Sequence, residues 1–264
     1  MMIAFTPRSA VRRPMLFSVL VTLAFLAAVV VLAIVQRLMT TPLSQEALGA
    51  AGRVAIGAVA LVALARCGWR SWIAATASRT SWRLMLVPLG YVLLLYPLLF
   101  SGTYRMPSEN GLLLAVVAAN GFAAGVMEEL VFRGLVLGAL LLSWGVSGRG
   151  LWRALVISSL LFSAPHGLNV LTGADPITTA AQLIWAVLLG MVFGALVVAG
   201  GSVWPVAVLH GATNAFVHAN RYGRDPATDL STALLLALAP VPLLGYSWWL
   251  LGRFRQLRPG PVAR

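Results

Sequence analysis

The sequence predicts an all-α fold, a polytopic transmembrane helical bundle of about eight spans. Of the 264 residues, 60% are hydrophobic and only 10% are charged, so the chain lacks the polar surface that a water-soluble globule needs. Uncharged apolar runs of about 20 residues, the length that crosses the hydrocarbon of a bilayer, recur along the whole chain. Because lipid offers the backbone no hydrogen-bond partners, we expect these runs to cross as helices.

Each apolar run predicts one span, with one exception. The run 177–209 is too long for a single span and is broken by Gly200, Gly201 and Ser202, which indicates two helices joined by a tight turn. A weaker run contains one charge, Arg53. The complete set of runs is 15–36, 47–65, 84–104, 111–127, 154–174, 177–209 and 230–252.

All 19 basic residues are arginine, a bias that we interpret as the codon usage of a GC-rich bacterial genome. The net charge of +12 does not indicate a nucleic-acid partner, because the arginines are scattered singly between apolar spans. An even number of spans with both termini in the cytoplasm satisfies the positive-inside rule, so we expect a protein of the bacterial inner membrane. The cytoplasmic arginines are then Arg8, Arg12, Arg13, Arg66, Arg70, Arg79, Arg83, Arg149, Arg153, Arg253, Arg255, Arg258 and Arg264, and the external ones are Arg37, Arg105, Arg221 and Arg224.

Two adjacent carboxylates lie in the apolar middle of the chain. Glu128 and Glu129 follow seventeen uncharged residues, and a carboxylate at such depth must face the bundle interior and find a partner or hold its proton. Arg133 lies four residues after Glu129 on the same helical face and is expected to pair with it. Glu128 is therefore a candidate general base, and a purely structural Glu129–Arg133 ion pair is the alternative.

A second polar cluster ends the run 154–174. Phe162 precedes His166 by one helical turn, and Pro165 removes a backbone donor, so the helix is expected to be distorted there. A loosened backbone of this kind can admit water. His166 is a candidate for catalysis or metal binding, and an interfacial or hydrogen-bonded histidine is the alternative.

A third polar cluster begins at His210. Asn214 lies four residues later on the same helical face, where its amide can orient the imidazole or bind a carbonyl oxygen. His218 continues the stripe by one further turn but lies near Arg221 and Arg224, and we interpret it as interfacial.

The three clusters together resemble the sequence pattern of a known family. EELVFR at 128–133, FSAPH at 162–166 and HGATN at 210–214 match, in order, the EExxxR, FxxxH and HxxxN motifs of the CPBP intramembrane proteases, which include the CAAX prenyl endopeptidases. Each motif is short, and the combination on three apolar spans is what makes the resemblance specific. One bacterial branch, the myxosortases, processes C-terminal sorting tails.

The resemblance implies a CAAX-prenyl-protease-like core in which each motif residue has a role. Glu128 would activate a water for attack on a peptide carbonyl, assisted by His166. Glu129 and Arg133 would support that geometry, and Phe162 would shape the pocket.

On the opposite side of the substrate, His210 and Asn214 would stabilise the oxyanion. A divalent metal such as zinc is a possible cofactor, since His166, His210 and Glu128 could form a site with two histidines and one carboxylate. The same groups can act without a metal, with the glutamate as base, and we favour that mechanism.

The predicted organisation follows the motifs. Residues 1–110 form N-terminal spans, residues 111–220 form a catalytic four-helix core, and residues 221–264 form the last span and a basic cytoplasmic tail. Residues 1–105 contain no polar group that is committed to chemistry. In the core, Gly121 and Gly125, Gly134 and Gly138, and Gly190 and Gly194 are spaced for close helix contact.

The leading hypothesis is an endopeptidase that hydrolyses a peptide bond of a membrane-anchored substrate within the bilayer. The alternatives are a non-catalytic membrane binder or immunity protein of the same fold, and a proton-coupled carrier. A carrier is expected to show internal symmetry or matched discontinuous helices, and the sequence contains neither.

Overall fold

The computed structural model describes residues 12–69, 78–100, 111–146, 148–222 and 230–256, and in these ranges every regular element is helical. The predicted all-α class is therefore confirmed. The helices are α1 (Pro14–Arg37), α2 (Pro42–Arg66), α3 (Arg79–Arg83), α4 (Leu86–Phe100), α5 (Gly111–Glu129), α6 (Leu137–Trp144), α7 (Gly148–Ser163), α8 (Pro176–Gly200), α9 (Trp204–Arg221), α10 (Leu230–Leu238) and α11 (Val241–Gln256).

Six helical stretches of the described chain are long and apolar enough to cross a membrane. They are Pro14–Arg37, Pro42–Arg66, Gly111–Trp144, Gly148–Leu171, Pro176–Gly200 and Ala233–Arg253. The predicted number of about eight spans is therefore approximate. This is a multi-pass membrane protein.

Helix ends follow the local sequence. Thr41 caps α2 through a capping box with Ser44, and the Asp175 carboxylate accepts a hydrogen bond of 2.7 Å from the Thr178 backbone N–H at the start of α8. The predicted break in the run 177–209 is confirmed, because α8 ends at Gly200 and Gly201 adopts a left-handed conformation, with φ +74°.

Small residues set the distances between the central helices. A Cβ on Gly121 would lie 2.7 Å from the Asn214 carbonyl oxygen, and one on Gly125 would lie 2.7 Å from the Gly211 backbone nitrogen. Residue numbers rise along α5 as they fall along α9, so these two helices pack antiparallel, backbone against backbone. Gly190 of α8 approaches Ser159 of α7 in the same way. The glycine pairs thus bring the polar motifs of neighbouring helices together.

Two irregular segments lie at the polar motifs. A π-helical segment, Leu130–Val136, continues α5 directly after Glu129 and leads into α6. A 3₁₀-helical segment, Ala164–Thr172, continues α7, which confirms the distortion predicted from Pro165. Short segments of this kind shift side chains away from the positions that a regular α-helix would give them.

Candidate active site

The buried centre of the bundle contains three charged or titratable side chains in contact, which we call the inner cluster: Glu129, Arg133 and His210. Glu129 Oε1 lies 3.0 Å from Arg133 Nη1 and 2.8 Å from His210 Nδ1. The exposed fractions are 0% for Glu129, 1% for Arg133 and 2% for His210. The predicted Glu129–Arg133 pair is confirmed, and its carboxylate also binds a histidine that lies 81 residues further along the chain.

Aromatic rings enclose the inner cluster. The Arg133 guanidinium lies 4.1 Å from the centre of the Phe162 ring and 5.7 Å from that of Phe193, and the Phe193 ring lies 5.4 Å from that of His210. A cation in a water-poor interior gains from such contacts with ring faces. Phe162, expected to shape the pocket, does not itself line the cavity. Its ring packs against Arg133 and against the rings of His166 and His210, which do line it.

The Glu129 contact fixes the protonation of the His210 ring. Glu129, paired with Arg133, is an ionised acceptor, so His210 Nδ1 must carry the hydrogen and donate it. In the neutral ring Nε2 is then an acceptor, and it lies 3.8 Å from Glu128 Oε2, another acceptor. This distance is too long for a direct hydrogen bond and suits a water that donates to both atoms.

Glu128 lies at the boundary between the inner cluster and a large cavity. Its side chain is 19% exposed, whereas that of Glu129 is 0% exposed. The cavity has a volume of about 700 Å³ and contains on its wall Glu128, His166, His210 and Asn214 together with His218. The structure thus brings candidate residues of all three motifs to the wall of one cavity. His218, expected to be interfacial, also lies on this wall.

His166 reaches the cavity from the 3₁₀ segment. Its ring stands edge-on to Phe162, with ring centres 5.3 Å apart, and its Nδ1 is buried without a hydrogen-bond partner among the described residues. A buried ring nitrogen without a partner is costly unless water or a ligand meets it. His166 is therefore suited to hold a polar group inside the cavity.

The sequence analysis missed a second polar group, which we call the outer cluster: Glu46, Arg53 and Asn120. Glu46 and Arg53 line the same cavity, and Asn120 is buried beside them. The Arg53 guanidinium donates to the Asn120 side-chain oxygen, and the Asn120 amide donates to Glu46 Oε2 at 2.6 Å. Glu46 and Arg53 lie on α2, so the expectation that residues 1–105 hold no committed polar group is wrong. The available signal was Arg53 itself, a lone charge in an apolar run, seven residues after Glu46 and thus on the same helical face.

The structure also tests whether the predicted metal ligands, as they are arranged, could hold a zinc ion. The predicted donors His210 and Glu128 approach to 3.8 Å, yet no three His, Cys, Asp or Glu side chains of the described chain are arranged to hold an ion. As they stand, these side chains do not fit a zinc site, which requires ligand atoms at about 2 Å from one centre.

Fold and site together define a polytopic helical membrane protein with a carboxylate–histidine centre open to an internal cavity. Residues 110–216, less than half of the chain, match the family model described as Type II CAAX prenyl endopeptidase Rce1-like. The three sequence motifs lie inside the matched region, so the match supports the resemblance of this region to the CPBP family, whose Rce1-like members are intramembrane proteases. No curated protein and no solved structure matches it.

Proposed function

We propose that this protein is a glutamate-dependent intramembrane endopeptidase that hydrolyses a peptide bond of a membrane-anchored substrate. One observation supports this more than any other: Glu128, His166, His210 and Asn214 share the wall of one cavity of about 700 Å³. Such a space can hold water and an extended peptide segment together, away from bulk solvent.

In the proposed reaction, Glu128 removes a proton from the water that bridges it to His210. The hydroxide attacks the carbonyl carbon of the scissile bond, and Glu128 then returns the proton to the departing amine nitrogen. The elements of one water molecule are thereby divided between the acyl product and the amine product. His166, on the same cavity wall, positions the water or the substrate carbonyl.

The negative charge that develops on the carbonyl oxygen must be stabilised by hydrogen-bond donors. Asn214 supplies the N–H groups of its side-chain amide. His210 can add an Nε2–H donor only in the doubly protonated ring; in the neutral ring its Nε2 holds the attacking water instead.

The substrate is a separate question from the reaction. The family description names prenylated CAAX proteins, but a bacterial host makes prenylated substrates unexpected. We propose a membrane-anchored peptide or protein as the substrate, in the bacterial inner membrane, with the termini of the enzyme in the cytoplasm.

The decisive experiment compares membrane proteomes of cells that express wild-type protein or the Glu128→Gln variant. Glutamine keeps the shape of the side chain and removes its basicity, so we expect processing to fall by about 10²–10⁴-fold and one precursor to keep its tail or leader. Asp175→Asn is the matched control, because it neutralises an acid at the α8 cap and asparagine caps equally well.

Each outcome decides between the functions. A persisting precursor with unchanged membrane levels of the variant supports hydrolysis. Wild-type processing by Glu128→Gln, or a cellular effect that this variant retains in full, would instead support a binder or immunity protein of the same fold.

A further inference from the structure

The two ends of the bundle can be distinguished by their contacts. At one end, which we call the basic end, α1 begins, α2 ends, α7 begins and α11 ends. There the rings of Phe17 and Trp69 lie 6.1 Å apart, and those of Trp152 and Trp248 lie 5.0 Å apart. At the other end, the connection end, α1 joins α2 and the 3₁₀ segment joins α8.

Two side-chain hydrogen bonds mark the connection end. Gln36 Nε2 donates to the Gln45 carbonyl oxygen at 2.9 Å, and Asn169 Nδ2 donates to Gln182 Oε1 at 2.8 Å. The first links the α1–α2 connection, and the second links the 3₁₀ segment to the first turns of α8.

The reaction cavity extends toward the connection end. Along α9 its wall runs from His210 to Tyr222, about 18 Å at 1.5 Å per residue. Glu46 near the start of α2, Asn169 of the 3₁₀ segment and Gln182 of α8 also line it. These residues belong to the connection end, so the polar path from the reaction centre leads to that end.

In the opposite direction the reaction centre is closed. About 20 Å of helix separates Glu128 from Trp144 at the end of α6, and the side chains around it are packed without access to solvent. The most buried of them, with exposed fractions of 0% to 1%, are Leu137, Leu140, Leu151 and Leu155. No described residue of the basic end lines the cavity.

Arginines assign the two ends to the two sides of a membrane. In the described chain the basic end carries Arg12, Arg13, Arg66, Arg79, Arg83, Arg149, Arg153 and Arg253, whereas the connection end carries Arg37 and Arg221. Trp249 is 52% exposed there, with the Arg253 guanidinium 4.9 Å from its ring, as expected at a lipid–water interface. By the positive-inside rule the basic end faces the cytoplasm.

We infer that the reaction cavity opens on the extracytoplasmic face of the membrane, opposite the arginine-rich end. Resting on the proposed function, this specifies the substrate class: a membrane-anchored polypeptide whose scissile bond lies at or just below its external membrane boundary. A polypeptide tail that never leaves the cytoplasm cannot reach Glu128 through about 20 Å of packed apolar helix.

Cysteine labelling in intact spheroplasts tests this orientation. The chain has one cysteine, Cys67, and burial raises the pKa of its thiol. The substitution Cys67→Ser removes this thiol, so a cysteine introduced elsewhere is the only one that the probe can label. In that background Tyr222→Cys reports on the cavity end and Arg149→Cys, an exposed position of α7, reports on the basic end. The probe is a membrane-impermeant maleimide.

We expect intact spheroplasts to label the Tyr222→Cys protein and to leave the Arg149→Cys protein unlabelled until they are permeabilised. The opposite pattern, or protection of both sites in intact spheroplasts, overturns the inference. A green fluorescent protein fused after Arg264 should fluoresce, since it folds in the cytoplasm. A dark fusion, together with an active alkaline phosphatase fused at the same position, would also overturn the inference. Neither readout needs catalysis, so repeating them with Glu128→Gln separates a wrong orientation from a wrong enzymatic function.

Discussion

The inner and outer clusters place similar side chains in very different surroundings. Both contain a glutamate and an arginine, and each adds one further polar side chain. In the inner cluster Glu129 and Arg133 contact each other directly and are almost inaccessible, with exposed fractions of 0% and 1%. In the outer cluster Glu46 and Arg53 are partly exposed to the cavity and are linked through the neutral amide of Asn120.

This difference indicates different tasks. A directly paired, fully buried cluster is rigid, and its cost is acceptable only if every charge is satisfied. That rigidity suits the orientation of His210. A cluster on the wall of a cavity keeps contact with whatever enters, and Arg53 lines the same cavity as Glu128. Arg53 is therefore suited to meet substrate, and Arg133 is suited to hold the site in shape.

The largest effect on stability is expected from breaking the inner cluster. Arg133→Met leaves the charge of Glu129 buried and unpaired, which costs about 3–5 kcal/mol in comparable pairs. Thermal unfolding in detergent measures this change. The double variant Glu129→Gln, Arg133→Met removes the stranded charge and should recover most of the loss, while His210 loses its ionised partner and activity stays low. If the single and double variants lose the same free energy of unfolding, Glu129 and Arg133 do not stabilise the fold as a pair.

The next largest effect is expected where α5 and α9 touch. In Gly125→Ala the new Cβ would lie 2.7 Å from the Gly211 backbone nitrogen, so the helices must separate and the free energy of unfolding should fall by about 1–3 kcal/mol. Glu128 and His210 lie on these two helices, so the rate of substrate processing should fall by more than the loss of folded protein explains. Gly90→Ala is the control, since its Cβ would enter open space on α4. If Gly125→Ala leaves both stability and activity unchanged, the distance between α5 and α9 does not determine the geometry of the site.

A smaller effect on stability is expected in the outer cluster. Arg53→Met removes the hydrogen bond to Asn120 at a partly exposed site, so we expect a loss of about 1–2 kcal/mol, less than for Arg133→Met. The rate of substrate processing should fall by more than the loss of folded protein explains. Once a substrate is known, the change should appear mainly as a higher KM. A loss of stability as large as that of Arg133→Met would remove the distinction between the two clusters.

The two clusters also differ in how far the sequence could predict them. The Glu129–Arg133 pair was predictable because both residues lie on one helix, four positions apart, and the break at Gly200 and Gly201 was predictable from turn chemistry. The outer cluster spans α2 and α5, and the sequence contains no local spacing that joins Asn120 to Arg53. Such contacts depend on how whole helices pack, which a single sequence does not state.

The same limit applies inside the predicted motifs. The contact between Glu129 and His210 and the π-helical segment that follows Glu129 both arise from tertiary packing. The motif predicted that Phe162 shapes the pocket, but only the structure reveals its contact with Arg133. The order of the motifs could thus be predicted from sequence, whereas the layering of side chains behind the cavity wall could not.

The smallest effect is expected from removing metal ions. The described side chains do not gather three His, Cys, Asp or Glu donors around one point, and His210 Nδ1 is already engaged with Glu129. Hydrolysis by Glu128 needs no Lewis acid in the proposed mechanism, so treatment of purified protein with EDTA should leave the rate of substrate processing unchanged. Restoration of activity by zinc after such treatment would contradict this, and it would make Glu128 a metal ligand rather than the base. In that case the inner cluster would orient a ligand through His210, as buried carboxylates do behind metal-binding histidines.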